Sequence, residues 1–111
     1  NYDMVKLWNY PSQKFVNTGE QFCGLFMADH SKCAINTMFN TGTVVGVSCN
    51  IFGDGFPRNY IPHFSWGGAG GFTDYKLDKA LESMDRVLER RGQKLSEVDK
   101  SIFEKIYAES R

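Results

Sequence analysis

The stretch MADHSKCAINTMFNTGTVVGVSCNIFGDGF, residues 27–56, decides the predicted fold because it divides into five hexapeptides in one phase. The first residue of every hexapeptide is apolar and the fifth is small. A period of six is neither the 3.6 of a helix nor the two of a plain strand, and it is typical of a parallel β-helix. We therefore predict a mainly β chain. The first positions are Met27, Cys33, Phe39, Val45 and Ile51, and the fifth are Ser31, Thr37, Thr43, Cys49 and Gly55.

The repeat also predicts which residues lie side by side, because the chain returns to the same face every three hexapeptides. A competing register that begins at Ile35 would bury Asp29 without a partner, at a cost of several kcal/mol by rough estimate, and we set it aside. An ordinary meander of strands is the remaining alternative. The expected pairs are Met27 with Val45, Cys33 with Ile51, and Ser31 with Cys49.

Composition limits the classes of function. The 111 residues hold 13 basic and 13 acidic side chains and have no net charge, which argues against nucleic-acid and membrane-surface partners. No apolar run could span a membrane and no signal-peptide pattern is present. The three cysteines form no CxxC motif, which predicts buried thiols in a cytoplasmic protein and no metal site. Because the chain begins with Asn1, we expect an upstream segment.

Three parts are predicted along the chain. Residues 1–56 hold the repeat and, before it, two extended stretches that form a projecting loop or hairpin. Residues 57–72 are rich in glycine and aromatic residues and are expected to leave the repeat as a capping loop. Residues 73–111 form two helices, the first capped by Thr73 or Asp74 and ending at Gly92, the second capped by Ser96.

Several motifs resemble a known family. They are Asp29-His30-Ser31-Lys32, Ile35-Asn36-Thr37, the run from Asn40 to Gly46, and Asn50-Ile51-Phe52-Gly53. Together they resemble the C-terminal domain of sugar-1-phosphate nucleotidylyltransferases of the bifunctional uridylyltransferase/acetyltransferase type. The closest likeness is to a bacterial subgroup of glucose-1-phosphate thymidylyltransferase-like proteins.

This resemblance implies a protein in two parts. An N-terminal domain, absent here, would join a nucleoside triphosphate to a sugar 1-phosphate with the help of Mg²⁺. The C-terminal domain would be a left-handed parallel β-helix that forms a homotrimer. In the bifunctional members that domain also transfers an acetyl group from acetyl-CoA to a sugar phosphate.

The resemblance also suggests site residues. His30, beside Asp29 and Lys32, is the candidate catalytic base, with an interface histidine as the alternative. The family's sugar-binding loop begins Asn-Tyr-Asp-Gly, which Asn1-Tyr2-Asp3 matches until Met4 replaces the glycine. Ile35 replaces a polar residue that faces CoA in some members, which weakens the acetyl-CoA expectation. The candidate substrate-binding residues are Asn1, Tyr2, Lys6, Lys32 and Asn36.

Three functions remain open from the sequence. The chain is either a trimerising, acyltransferase-like module of a nucleotidylyltransferase, or an active acetyltransferase domain, or a free-standing binding domain. The first is favoured for this chain because Ile35 replaces the polar residue, the chain has no net charge, and a long cap of aromatic residues and helices follows the repeat.

Overall fold

The computed structural model describes residues 4–111, and these begin with an antiparallel hairpin. Strand β1 (Lys6–Asn9) pairs with β2 (Lys14–Asn17), which confirms the hairpin predicted before the repeat. Main-chain hydrogen bonds from Val5 to Glu20 and from Thr18 to Val5 close its base. The hairpin packs beside the repeat through Trp8, which stacks on Tyr60 with ring centroids 4.1 Å apart.

The repeat builds two small parallel ladders. One contains β3 (Leu25–Met27), β5 (Thr43–Val45) and β7 (Tyr60–Ile61), in that order. The other contains β4 (Lys32–Cys33), β6 (Asn50–Ile51) and β8 (Ser65–Gly68), and β9 (Gly71–Asp74) then pairs antiparallel with β8. The predicted neighbours are observed: Met27 lies opposite Val45, Cys33 lies opposite Ile51, and Cys49 N–H donates to Ser31 Oγ at 2.9 Å.

The predicted left-handed parallel β-helix is nevertheless wrong as a description of the fold. The strands of the ladders are two to four residues long, residues 34–42 and 52–59 form no strand, and β9 makes one sheet mixed. The described strands therefore make no closed or solenoid sheet. The physical reason is a broken period: the chain takes eighteen residues from Met27 to Val45 but sixteen from Val45 to Ile61.

The segment 57–72 also differs from its prediction. Instead of leaving the repeat as a loop, it contributes β7 and β8 to the two ladders and turns back at Gly68–Gly71 to form β9. Pro57 and Pro62 lie between these short strands, where a missing N–H does not interrupt pairing, whereas Gly67, Gly68 and Gly71 lie within β8 and β9. Phe64, with φ +56, is completely buried beneath the helices.

Two helices cover one side of the ladders. Helix α1 (Leu77–Glu89) and α2 (Glu97–Glu109) bury a cluster around Phe64. The Ser96 cap is confirmed, since its Oγ accepts from Asp99 N–H at 3.0 Å. The cap predicted for α1 is wrong, because Lys76 holds that position without a side-chain hydrogen bond. The other buried members of the cluster are Ala80, Met84, Leu95 and Phe103.

Within residues 4–111, neither helix has the length and apolar character that a membrane span requires.

Candidate functional site

His30 lies in the turn between β3 and β4, with its backbone at φ +58. Its ring packs edge-on against Phe103 of α2, with centroids 5.3 Å apart. The main-chain oxygen of Asp29 accepts from Ser48 N–H at 3.0 Å, and the Asp29 carboxylate makes no hydrogen bond to His30 within the described residues. A base oriented by a carboxylate, as the sequence predicted, is therefore not assembled at this turn.

A small cavity of about 160 Å³ opens between this turn and α1. His30 and Lys32, two of the residues predicted from the sequence, lie together in its wall. The hydroxyls in the wall are already paired: Ser31 Oγ donates to the Gly46 carbonyl at 2.6 Å, and Tyr75 and Ser83 share a hydrogen bond of 3.0 Å. The wall contains one imidazole and one ammonium group, and none of its hydroxyls is free to act as a nucleophile. The cavity can therefore hold a small anion. Met84 and Val87 complete the wall.

The other predicted residues lie elsewhere. Lys6 borders an open hollow of about 560 Å³ beside Asn40, Thr41 and Asn59, at the base of the hairpin. Asn36 is exposed in the turn after β4, with φ +64. Asn1 and Tyr2 fall outside the described residues. The structure thus brings His30 and Lys32 together, but it does not gather the described candidates into one site.

An aromatic cleft of about 500 Å³ was not foreseen from the sequence. Four rings from the hairpin, from β7 and from the β7–β8 connection meet there. Tyr10 stacks on His63 with centroids 5.3 Å apart, and Trp8 stacks on Tyr60. No spacing in the sequence links residues 8–10 to residues 60–63. Only the local density of aromatic side chains could have indicated the cleft.

The two tyrosines and the histidine of this cleft favour their neutral forms. Burial raises the pKa of Tyr10 and that of Tyr60 above the usual tyrosine value. Burial and then the nearby Arg111 charge lower the pKa of His63. Its Nδ1 accepts a hydrogen bond from Val47 N–H at 2.7 Å, which requires an unprotonated nitrogen. His63 therefore fixes the local structure and is not available there as an acid.

One end of the two ladders is open. Along the inner row of the first ladder, Met27 is 37% exposed whereas Val45 is 1% and Ile61 is 0% exposed. In the second ladder Cys33 is exposed while Ile51 and Gly67 are buried. Both β3 and β4 are edge strands with no described strand on their outer sides. Around this open end, formed by β3, β4 and the turn after β4, further apolar side chains are exposed, namely Leu25, Phe26, Ile35 and Met38.

The three thiols differ in environment. Cys49 is buried as predicted, and burial raises its pKa above the usual cysteine value. Cys33 was predicted to be interior, and this is wrong because β4 lies at the uncovered edge. Cys23 is half-buried, with Sγ 3.7 Å from Thr18 Oγ1. No two of them form a disulfide, and the described residues contain no group of three or more His, Cys, Asp or Glu side chains that could hold a metal ion.

No protein-family model, no curated protein and no solved structure matches this chain.

Proposed function

We propose that this chain is an assembly module, without a catalytic centre of its own, of a sugar-1-phosphate nucleotidylyltransferase. The observation that carries the proposal is the open end, where the inner rows of both ladders reach the surface at Met27 and Cys33. Edge strands with apolar side chains are liable to pair with other strands, and proteins cover them. Within residues 4–111 no carboxylate is hydrogen-bonded to His30, which supports a role other than catalysis.

The shape of the open end favours one kind of occupant. The strands already present in the two ladders pair in parallel with β3 and β4. Two short strands joined by a turn, running in the same direction as β3 and β4, would continue both ladders and cover both edges together. We infer that these strands belong to the parent protein, meaning the longer chain that would also contain the nucleotidyl-transfer domain and its Mg²⁺.

The homotrimer implied by the family resemblance is part of this proposal. Its contacts would lie on the outer surface of the repeat, where Phe26 is exposed and Ile35 is 93% exposed. Light scattering should give three times the chain mass of 12.6 kDa for the chain, or three times the mass of the parent protein. A monomer at tens of micromolar would argue against this part of the proposal.

Thiol labelling tests the covered end directly. In the isolated chain a maleimide should modify Cys33 rapidly, because it is exposed on β4. In the native parent protein Cys33 should be protected, and it should become reactive only after denaturation. Buried Cys49 provides the reference for a protected thiol in both samples. Equal labelling of Cys33 in both native samples would contradict the proposal.

A pair of matched substitutions adds a second test. Met27→Glu places a charge at the open end of the inner row, whereas Val98→Glu places the same charge on the exposed face of α2. In the isolated chain both variants should unfold close to the wild type. In the parent protein Met27→Glu should lower the unfolding temperature markedly more than Val98→Glu, since only Met27 would be buried by added strands.

A second candidate function is an acetyl-CoA-dependent sugar-phosphate acetyltransferase. It is favoured by a single observation, the cavity shared by His30 and Lys32, in which the ammonium group could hold a sugar phosphate. The test is transfer of an acetyl group to glucosamine 1-phosphate, with His30→Gln as the variant and His63→Asn, which keeps an acceptor for Val47 N–H, as the control. Turnover that His30→Gln abolishes would favour this function over the assembly module.

A further inference from the structure

Trp66 separates two neighbouring clefts on the outer surface of β8. The side chain is 45% exposed, and Phe52 touches its ring edge-on with centroids 4.6 Å apart. One cleft, of about 440 Å³, is formed by the Gly67–Gly71 turn with Asp54, and we call it the glycine cleft. The other, of about 570 Å³, contains Lys76, Lys79 and Arg86, and we call it the lysine cleft. A single ligand that passes Trp66 could therefore occupy both.

The floor of the glycine cleft contains a glycine that the fold does not require. Gly70 has no positive φ, and a Cβ built on it would meet nothing within 4 Å. Gly68 is different, because its Cβ would collide with the Phe52 carbonyl, so packing explains that glycine. A bare backbone with open space above it allows a flat ring to approach closely.

The lysine cleft carries unused positive charge. Its two carboxylates are occupied, since Glu82 pairs with Arg86 at 2.6 Å and Asp74 pairs with Arg111 at 2.9 Å. Lys76 and Lys79 form no ion pair with any described residue. Because the chain as a whole has no net charge, this is a local feature rather than a general affinity for anions.

We propose that the two clefts together bind a nucleoside diphosphate with an adenine-type base. The base stacks beside Trp66 over Gly70, and its amino group donates to the Asp54 carboxylate. The diphosphate lies in the lysine cleft with Lys76 and Lys79. Aromatic stacking combined with basic side chains is a general means of binding nucleotides. This site is separate from the open end, so the nucleotide-binding proposal can fail without affecting the proposed assembly role, and the reverse also holds.

Tryptophan fluorescence offers a direct test with the full chain. The chain contains two tryptophans, so Trp8→Phe leaves Trp66 as the only reporter. Titration with ADP should quench the emission saturably, with a dissociation constant of the order of 0.1–1 mM. Adenosine and pyrophosphate, each with one half of the ligand, should bind at least about tenfold more weakly. Calorimetry on the wild-type chain provides the same comparison if Trp8→Phe does not fold.

Three variants assign the contacts. Combined Lys76→Ala and Lys79→Ala should weaken ADP binding about tenfold or more, while Lys105→Ala on α2 should leave it unchanged. Gly70→Leu should fill the glycine cleft and abolish binding without unfolding the chain, because space is available there. The proposal is overturned if ADP fails to bind in either assay or if the paired lysine variant binds as tightly as the wild type. Pyrophosphate binding as tight as that of ADP would also overturn it, because the site would then be specific only for anions.

Discussion

The main-chain N–H of Val47 donates a hydrogen bond to Nδ1 of His63 at 2.7 Å, and this bond links the turn after β5 to the connection between β7 and β8. The nitrogen can accept only when it carries no proton. Burial and the charge of Arg111 lower the pKa of His63, which keeps it in that state. Protonation would therefore remove an acceptor from a half-buried N–H and place a charge beside Arg111.

We predict from this bond that stability falls on acidification. The unfolded histidine has a pKa near 6.5, and the folded pKa is lower, so below about pH 6.5 the unfolded state binds more protons. The stabilisation is complete above the unfolded pKa and is lost as the pH falls through the folded one. For this one group the free energy of unfolding changes by at most about 1.4 kcal/mol per pH unit. Urea unfolding between pH 7 and pH 5 measures that change.

His63→Asn is the matched control for that prediction. The side-chain carbonyl that this substitution introduces can still accept from Val47 but does not titrate, so the pH dependence should become flatter. Unchanged pH dependence in His63→Asn would show that another group is responsible.

Gly46 should be intolerant of substitution. Gly46 has no positive φ, so lack of space and not backbone strain excludes a side chain here. A Cβ at this position would lie 2.6 Å from both the N and the Nδ1 of His63. We expect Gly46→Ala to cost about 1–3 kcal/mol, as overpacking of a filled interior usually does. Gly70→Ala is the control and should change the free energy of unfolding by no more than about 1 kcal/mol, because its Cβ would be in open space. Thermal unfolding distinguishes the two.

The thiols of the isolated chain should react in a fixed order. Cys33 is exposed, Cys23 is half-buried, and Cys49 is buried with a raised pKa. Because the thiolate is the reactive form, Cys49 should stay unmodified in native protein and react only after unfolding. Mass spectrometry after timed exposure to iodoacetamide measures the order. Early modification of Cys49 would mean that the ladders open at this point.

Ser96→Ala should destabilise α2 by about 1 kcal/mol, since it removes the acceptor for Asp99 N–H. Ser101→Ala, in an exposed position within the same helix, is the comparison and should have almost no effect. Urea unfolding of both variants provides the measurement. A loss of similar size in both would attribute the effect to general helix changes and not to the cap.

The hexapeptide phase predicted pairing well but architecture poorly. Met27 and Val45 are neighbours because three hexapeptides, or eighteen residues, return the chain to the same face. The same argument failed beyond Ile51, where the next circuit is two residues shorter and β9 reverses direction. A six-residue period predicts pairing only for residues that follow that period. It therefore could not predict how Tyr60–Ile61 and Ser65–Gly68 rejoin the ladders.

The candidate sites show the same division. Sequence motifs indicated His30 and Lys32, which do share a cavity. They gave no sign of the pairing of Trp8 with Tyr60 or of the clefts beside Trp66, because those depend on residues distant in the sequence. The predicted burial of Cys33 failed because the residue that would cover an edge strand cannot be inferred from that strand's own sequence.

The sequence by itself determined the local features: the hairpin, the register of Met27 with Val45, and the Ser96 cap. Each follows from residue types within one short segment or at one regular spacing. Only the tertiary structure decided that one end of the ladders is open and that His63 accepts a hydrogen bond from Val47. It also decided that Trp66 lies between the glycine cleft and the lysine cleft. These depend on which distant surfaces meet, and that is settled by packing and burial over the whole chain.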